Sequence, residues 1–193
     1  FNTGMNHILS GYDHLLFILG LLLIVSHFKK LFLVITGFTI GHSLTLSLAV
    51  FDLIQINSKL VEALIGYTIM FVGLEYFTKK KDNIVSSVIF VILLNLLLLI
   101  VSLMLGISIS TALIFGVVIF SISYLFFINN YKNENKFIVV ITIIFGLIHG
   151  LGFGGFLLSS GVNDENIVSG LLGFNLGVEF GQIAFILLIL LTF

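Results

Sequence analysis

The stretch IVSSVIFVILLNLLLLIVSLMLGISISTALIFGVVIFSISYLFFI, residues 84–128, contains no charged side chain, and the way it is divided decides the fold. At about 1.5 Å per helical residue it is far too long for one crossing of a ~30 Å hydrocarbon core, so it must break. Gly106, followed by Ile-Ser-Ile-Ser, is the expected turn. Two helices then occupy this stretch, and the number of segments on either side follows from it.

The flanking sequence has the same character. The chain is 59% hydrophobic and 9% charged, with mean hydropathy +1.27. Soluble domains devote about a quarter of their residues to charge, so a soluble globule is excluded and an integral membrane protein is expected. The apolar runs are about 20 residues long and lack the ten-residue alternation of outer-membrane strands, which makes the class all-α. A near-neutral net charge of −1 gives no footing for nucleic acid.

This reading divides residues 1–193 into a single transmembrane domain of seven spans, at about 6–28, 31–53, 59–78, 84–105, 108–129, 137–159 and 167–191. Lysine placement agrees with the division. Lys29, Lys30, Lys79, Lys80, Lys81, Lys132 and Lys136 fall on one side and only Lys59 on the other, so the lysine-rich side is expected to be cytoplasmic. A seven-helix bundle then has its N-terminus outside and its C-terminus in the cytoplasm. Numbering opens at Phe1 rather than a methionine, so an upstream segment such as a signal peptide or exported domain is an expected neighbour.

Ionisable groups inside apolar runs are costly and call for partners. His7, Asp13 and His14 enter with the first span, His42 lies in the second, His149 in the sixth and Glu179 in the seventh. In a continuous helix His7 and His14 are two turns apart on one face. Counted along the spans at about 1.5 Å per residue, His14, His42, His149 and Glu179 all lie between the midplane and the outer third. Separate helices that place polar groups at one depth are what a shared site requires.

Neighbouring residues suit supporting roles. Thr36, Thr39, Ser43 and Ser47 stripe the second span, where hydroxyls ordinarily bond their own helix carbonyls. Asn175, Glu179 and Gln182 share a face of the seventh, beside Gly170, Gly173, Gly177 and Gly181. Glu179 is a candidate ligand or general base, with Asn175, Gln182, Thr39 and Ser43 as outer partners. Gly146, Gly150 and Gly154 recur every fourth residue around His149, with Gly152 and Gly155 close by, a pattern that lets helix backbones approach. Glu62 and Glu75 are expected to be interfacial and solvated at the two ends of the third span, and His27 to lie at the surface.

The candidate metal ligands are therefore His7, Asp13, His14, His42, His149 and Glu179. With no cysteine, the donors are nitrogen and oxygen, suited to nickel, cobalt, zinc, iron or manganese and poor for Cu(I). Such a site serves a divalent-metal permease. It also serves an intramembrane zinc hydrolase with Glu179 as general base, and a non-catalytic membrane subunit with a structural polar core would carry the same residues.

Several of these segments resemble the HupE/UreJ family. They are His7 to His14 (His, five residues, Asp-His), Phe-Thr-Ile-Gly-His-Ser at 38–43, Val61-Glu62, Phe-Gly-Leu-Ile-His-Gly-Leu-Gly-Phe at 145–153 and Phe-Asn-Leu-Gly-Val-Glu-Phe-Gly-Gln at 174–182. Members are hydrogenase- and urease-accessory membrane proteins regarded as nickel or cobalt permeases of the bacterial inner membrane. The resemblance implies metal transport, with nickel, cobalt or zinc as the ion. Spans four and five match no family motif, and the Pro that often follows the first His is absent here. The His/Asp/Ser pattern is also similar to that of membrane hydrolases of the alkaline ceramidase and progestin/adiponectin receptor type, though its order and spacing fit them less well.

Overall fold

The computed structural model describes residues 1–25, 27–54, 57–81, 83–104, 106, 110–130, 134–153 and 166–192. They form eight helices: α1 (Asn2–Ser10), α2 (Tyr12–Ile24), α3 (Phe28–Val50), α4 (Ser58–Lys81), α5 (Ile84–Met104), α6 (Thr111–Asn130), α7 (Glu134–Leu151) and α8 (Ile167–Thr192). The break between α5 and α6 is at Gly106, where φ is +66° and a side chain would be strained.

The helix count corrects the seven-span expectation and the topology built on it. Among the described residues, α3, α4, α5 and α8 are long and apolar enough to cross a membrane, and a fifth crossing exists if α1 and α2 together make one span. Among the described residues, the apolar helical stretches Leu113–Phe127 of α6 and Phe137–Leu151 of α7 fall short of the ~20 residues that a crossing takes. The first expected span is itself broken, bending by 74° between α1 and α2. The lysine argument for an outer N-terminus and a cytoplasmic C-terminus needed seven crossings and falls with that number.

The chain is an all-α integral membrane protein made of two compact units, Phe1–Val72 with Asn135–Phe193, and Gly73–Glu134. The first unit is assembled by close approach of backbones. A methyl group on Gly41 of α3 would run into the Ile143 carbonyl of α7, one on Gly146 into the Phe38 carbonyl, and one on Gly150 into the His42 carbonyl. Between helices that share an apolar solvent, such contact gives dispersion energy that bulkier residues would prevent. The partners advance together along both helices, so α3 and α7 run in the same direction.

Helices α1 and α8 pair in the same manner. Gly4 meets the Phe174 backbone, while Gly177 meets the backbones of Phe1 and Met5. Helix α4 lies against α7 with Val61 and Ile65 beside Gly152, Thr68 beside His149, and the Phe71 ring 6.0 Å from Phe145. Here the numbers rise along one helix as they fall along the other, so these two run in opposite directions.

The second unit contains the last turns of α4 with α5 and α6, around Leu74, Val91 and Leu125. Glu75, expected to be solvated, is instead buried at 3% exposure. Its carboxylate accepts the Tyr124 hydroxyl at 2.6 Å and pairs with Lys79 at 3.0 Å, which compensates the charge. Glu62 is exposed, as expected of an interfacial acid. The outward Leu93, Leu97 and Leu103 of α5 are the apolar surface that a lipid-facing helix presents.

Candidate metal centre

A glycine break creates the site. In one straight helix His7 and His14 would be separated by about 10 Å along the axis. The bend at Gly11 brings their ring centroids to 4.6 Å. Gly11 donates its N–H to the His7 carbonyl at 3.0 Å, and the space a side chain would need there is taken up. A methyl at Gly11 would lie 2.9 Å from Asp13 Oδ1, His14 Nδ1 and the His7 oxygen.

The glycine-packed pair α3 and α7 delivers the other two imidazoles. His149 lies 5.3 Å from His14 between ring centroids, and His42 is 6.0 Å from His7 and 6.2 Å from His14. Two groups result, His7/His14/His42 and Asp13/His14/His149, each offering ligand atoms within 4.8 Å of one another. Ligand nitrogens bound at about 2.1 Å in a tetrahedral shell are ~3.4 Å apart, so coordination asks the ligand atoms of each group to close by up to about 1.4 Å. His14 belongs to both groups.

The nitrogens themselves suit a cation. His7 Nε2, His14 Nε2, both ring nitrogens of His42 and His149 Nδ1 are buried without a hydrogen-bond partner. Leaving such an atom unsatisfied costs about 1–3 kcal/mol, and a bound ion would remove that cost at several of them together. The remaining nitrogens of two rings are held from behind. His14 Nδ1 lies 3.0 Å from Asp13 Oδ1, and His149 Nε2 lies 2.9 Å from Thr68 Oγ1. This is the arrangement in which outer partners orient metal-binding imidazoles.

Phenylalanines wall the cluster. Phe17 and Phe38 lie 5.3 and 5.1 Å from His149, Phe174 stacks on His42 at 6.3 Å, and Phe153 is 3.8 Å from His7. An apolar shell keeps water out and strengthens every charge–ligand interaction inside it.

The other candidates occupy different places. Asn175 approaches His42, and its Oδ1 is buried without a partner. Glu179 is half-buried and accepts the Thr36 hydroxyl at 2.7 Å, and neither group of ligand atoms includes it. Gln182 accepts from Thr39 at 3.1 Å. Ser43 and Ser47 donate to carbonyls of their own helix, at Thr39 and Ser43. Gly154, Gly155 and the far end of the sixth expected span lie outside the described residues.

Sequence reasoning misses Thr68. A lone threonine in an apolar helix carries no signal of its own. Only its place on the face of Val61, Ile65 and Val72, which packs inward, singles it out.

The sequence model described as HupE / UreJ protein matches residues 1–97 and 76–193 of the chain. No curated protein and no solved structure matches it.

Proposed function

The chain belongs to the HupE/UreJ family, and on that premise we propose that it is a divalent transition-metal permease of the nickel/cobalt type. The observation that carries this reading is the convergence of His7, His14, His42 and His149, from four helices, each with a buried nitrogen that has no hydrogen-bond partner. Imidazole donors without thiolate suit nickel, cobalt and zinc. In this reading His7 and His14 receive the ion, with Asp13 behind the His14 ring, and His42 and His149 complete its shell. Glu179 is the next station, one turn along α8 from Asn175.

The ion is taken up from the outer side of a bacterial inner membrane. Transport also requires binding weak enough for release, so the ion should exchange.

Two measurements test the proposal: elemental analysis of the purified protein after exposure to nickel, cobalt and zinc, and radioactive nickel uptake into proteoliposomes. The expected result is one exchangeable ion per chain and saturable uptake, both lost in His14→Ala and His149→Ala. Absence of bound metal under all three exposures overturns the metal reading. A tightly held zinc that neither exchanges nor crosses overturns the permease reading in favour of a metalloenzyme.

A further inference from the structure

We infer that Thr68 is a positioning residue that fixes the tautomer of His149, so that His149 meets a metal through Nδ1 and not Nε2. Nothing in the family motifs points to α4 for this role, and the argument is one of proton counting. A threonine hydroxyl has a single proton to give. Thr68 Oγ1 lies 2.7 Å from the Ile65 carbonyl, which can only accept, so that contact takes the hydroxyl proton. The second contact of the same oxygen, 2.9 Å from His149 Nε2, is then one in which Thr68 accepts and the ring nitrogen donates. A neutral imidazole protonated at Nε2 has its lone pair on Nδ1, and His149 Nδ1 is the buried nitrogen left without a partner.

The environment makes this assignment firm. Thr68 is 2% exposed and His149 1% exposed, so water does not offer either group an alternative partner. Thr68 sits where α4 passes α7, with Val61 and Ile65 against Gly152 on one side and Phe71 near Phe145 on the other. Packing on both sides fixes the hydroxyl opposite the ring. Asp13 does the complementary thing for His14, accepting at Nδ1 and leaving Nε2 for the ion. The two rings therefore offer different nitrogens, His14 its Nε2 and His149 its Nδ1, and an exchange of either tautomer would point a proton at the ion.

The effect on metal affinity rests on the metal-centre proposal above, whereas the tautomer does not, and the experiment separates them. Protein with isotope-labelled histidine rings, five in all, is reconstituted metal-free at mildly alkaline pH. Long-range proton–nitrogen spectra then show which nitrogen of each ring is protonated, with His149 assigned from His149→Gln. The wild type and Thr68→Ser are expected to show His149 protonated at Nε2. Thr68→Val is expected to lose that single state and to bind nickel and cobalt about 10- to 100-fold more weakly, while Thr68→Ser restores affinity.

A wild-type His149 protonated at Nδ1 overturns the inference, and this spectrum decides it even if Thr68→Val does not fold. So does a folded Thr68→Val that keeps both the tautomer and the affinity of the wild type. A wild type with the expected tautomer that binds none of these metals leaves the role of Thr68 standing and overturns the metal centre instead.

Discussion

His14 is the residue on which the two ligand groups meet, and the consequences of changing it differ from those at its neighbours. His14→Ala removes a ligand shared by both groups, so a loss in metal affinity beyond the about 10- to 100-fold of an outer partner is expected. Asp13→Asn keeps the shape but replaces a charged acceptor on His14 Nδ1 with an amide. A loss of about 10- to 100-fold is expected there, as for other outer partners of metal-binding histidines. Competition titration with a chromogenic chelator would rank the two. Coordination needs neutral imidazoles, so each ligand proton competes with the ion. Binding should therefore weaken as acid protonates the ligands and recover on return to neutral pH. Titration calorimetry in buffers of different ionisation enthalpy would count those protons.

At the level of elements, glycines determine how closely helices approach and thereby where the histidines lie. Gly146→Ala would press a methyl into the Phe38 backbone, which cannot retreat without moving α3. A destabilisation of about 1–3 kcal/mol is expected from such overpacking, with weaker metal binding because His42 and His149 separate. Gly66→Ala is the matched control, since nothing lies within 4 Å of the added carbon. It should be neutral or stabilising by up to about 1 kcal/mol, because alanine favours a helix interior. Thermal unfolding in one detergent, with metal affinity measured alongside, tests the pair. Gly11 acts differently from both, leaving room beside the Asp13–His14 contact at the bend between two helices.

Across the whole molecule, the site joins helices that lie far apart in the chain. Ligands from α1, α2, α3 and α7 are brought into one place, so an ion binding there ties the first unit together. An ion that binds only the folded state should stabilise it by about 2.7 kcal/mol when present at about 100 times its Kd. The unfolding temperature should rise on adding nickel and return on chelation. In His14→Ala it should not respond. The second unit contributes none of the ligand atoms found among the described residues, and within it Glu75 is paired with Lys79 and accepts from Tyr124. The metal-induced shift should accordingly survive conservative changes at Tyr124.

The sequence alone determined the solvent of this protein, the helical class and the turn at Gly106, and it put forward His7, Asp13, His14, His42, His149 and Glu179 as candidate ligands, because each depends on composition or local spacing. Charged and imidazole groups in apolar runs are conspicuous for their cost, and glycines at intervals of four are conspicuous for their pattern. Only the tertiary structure decided how many of the described helices can cross a membrane, because the bend between α1 and α2 is a break that apolar composition does not mark. It alone placed Glu179 on Thr36 and outside the ligand groups, buried Glu75, and put Thr68 behind His149. Those outcomes depend on which face of one helix meets which face of another, a relation between distant parts of the chain that local spacing does not encode.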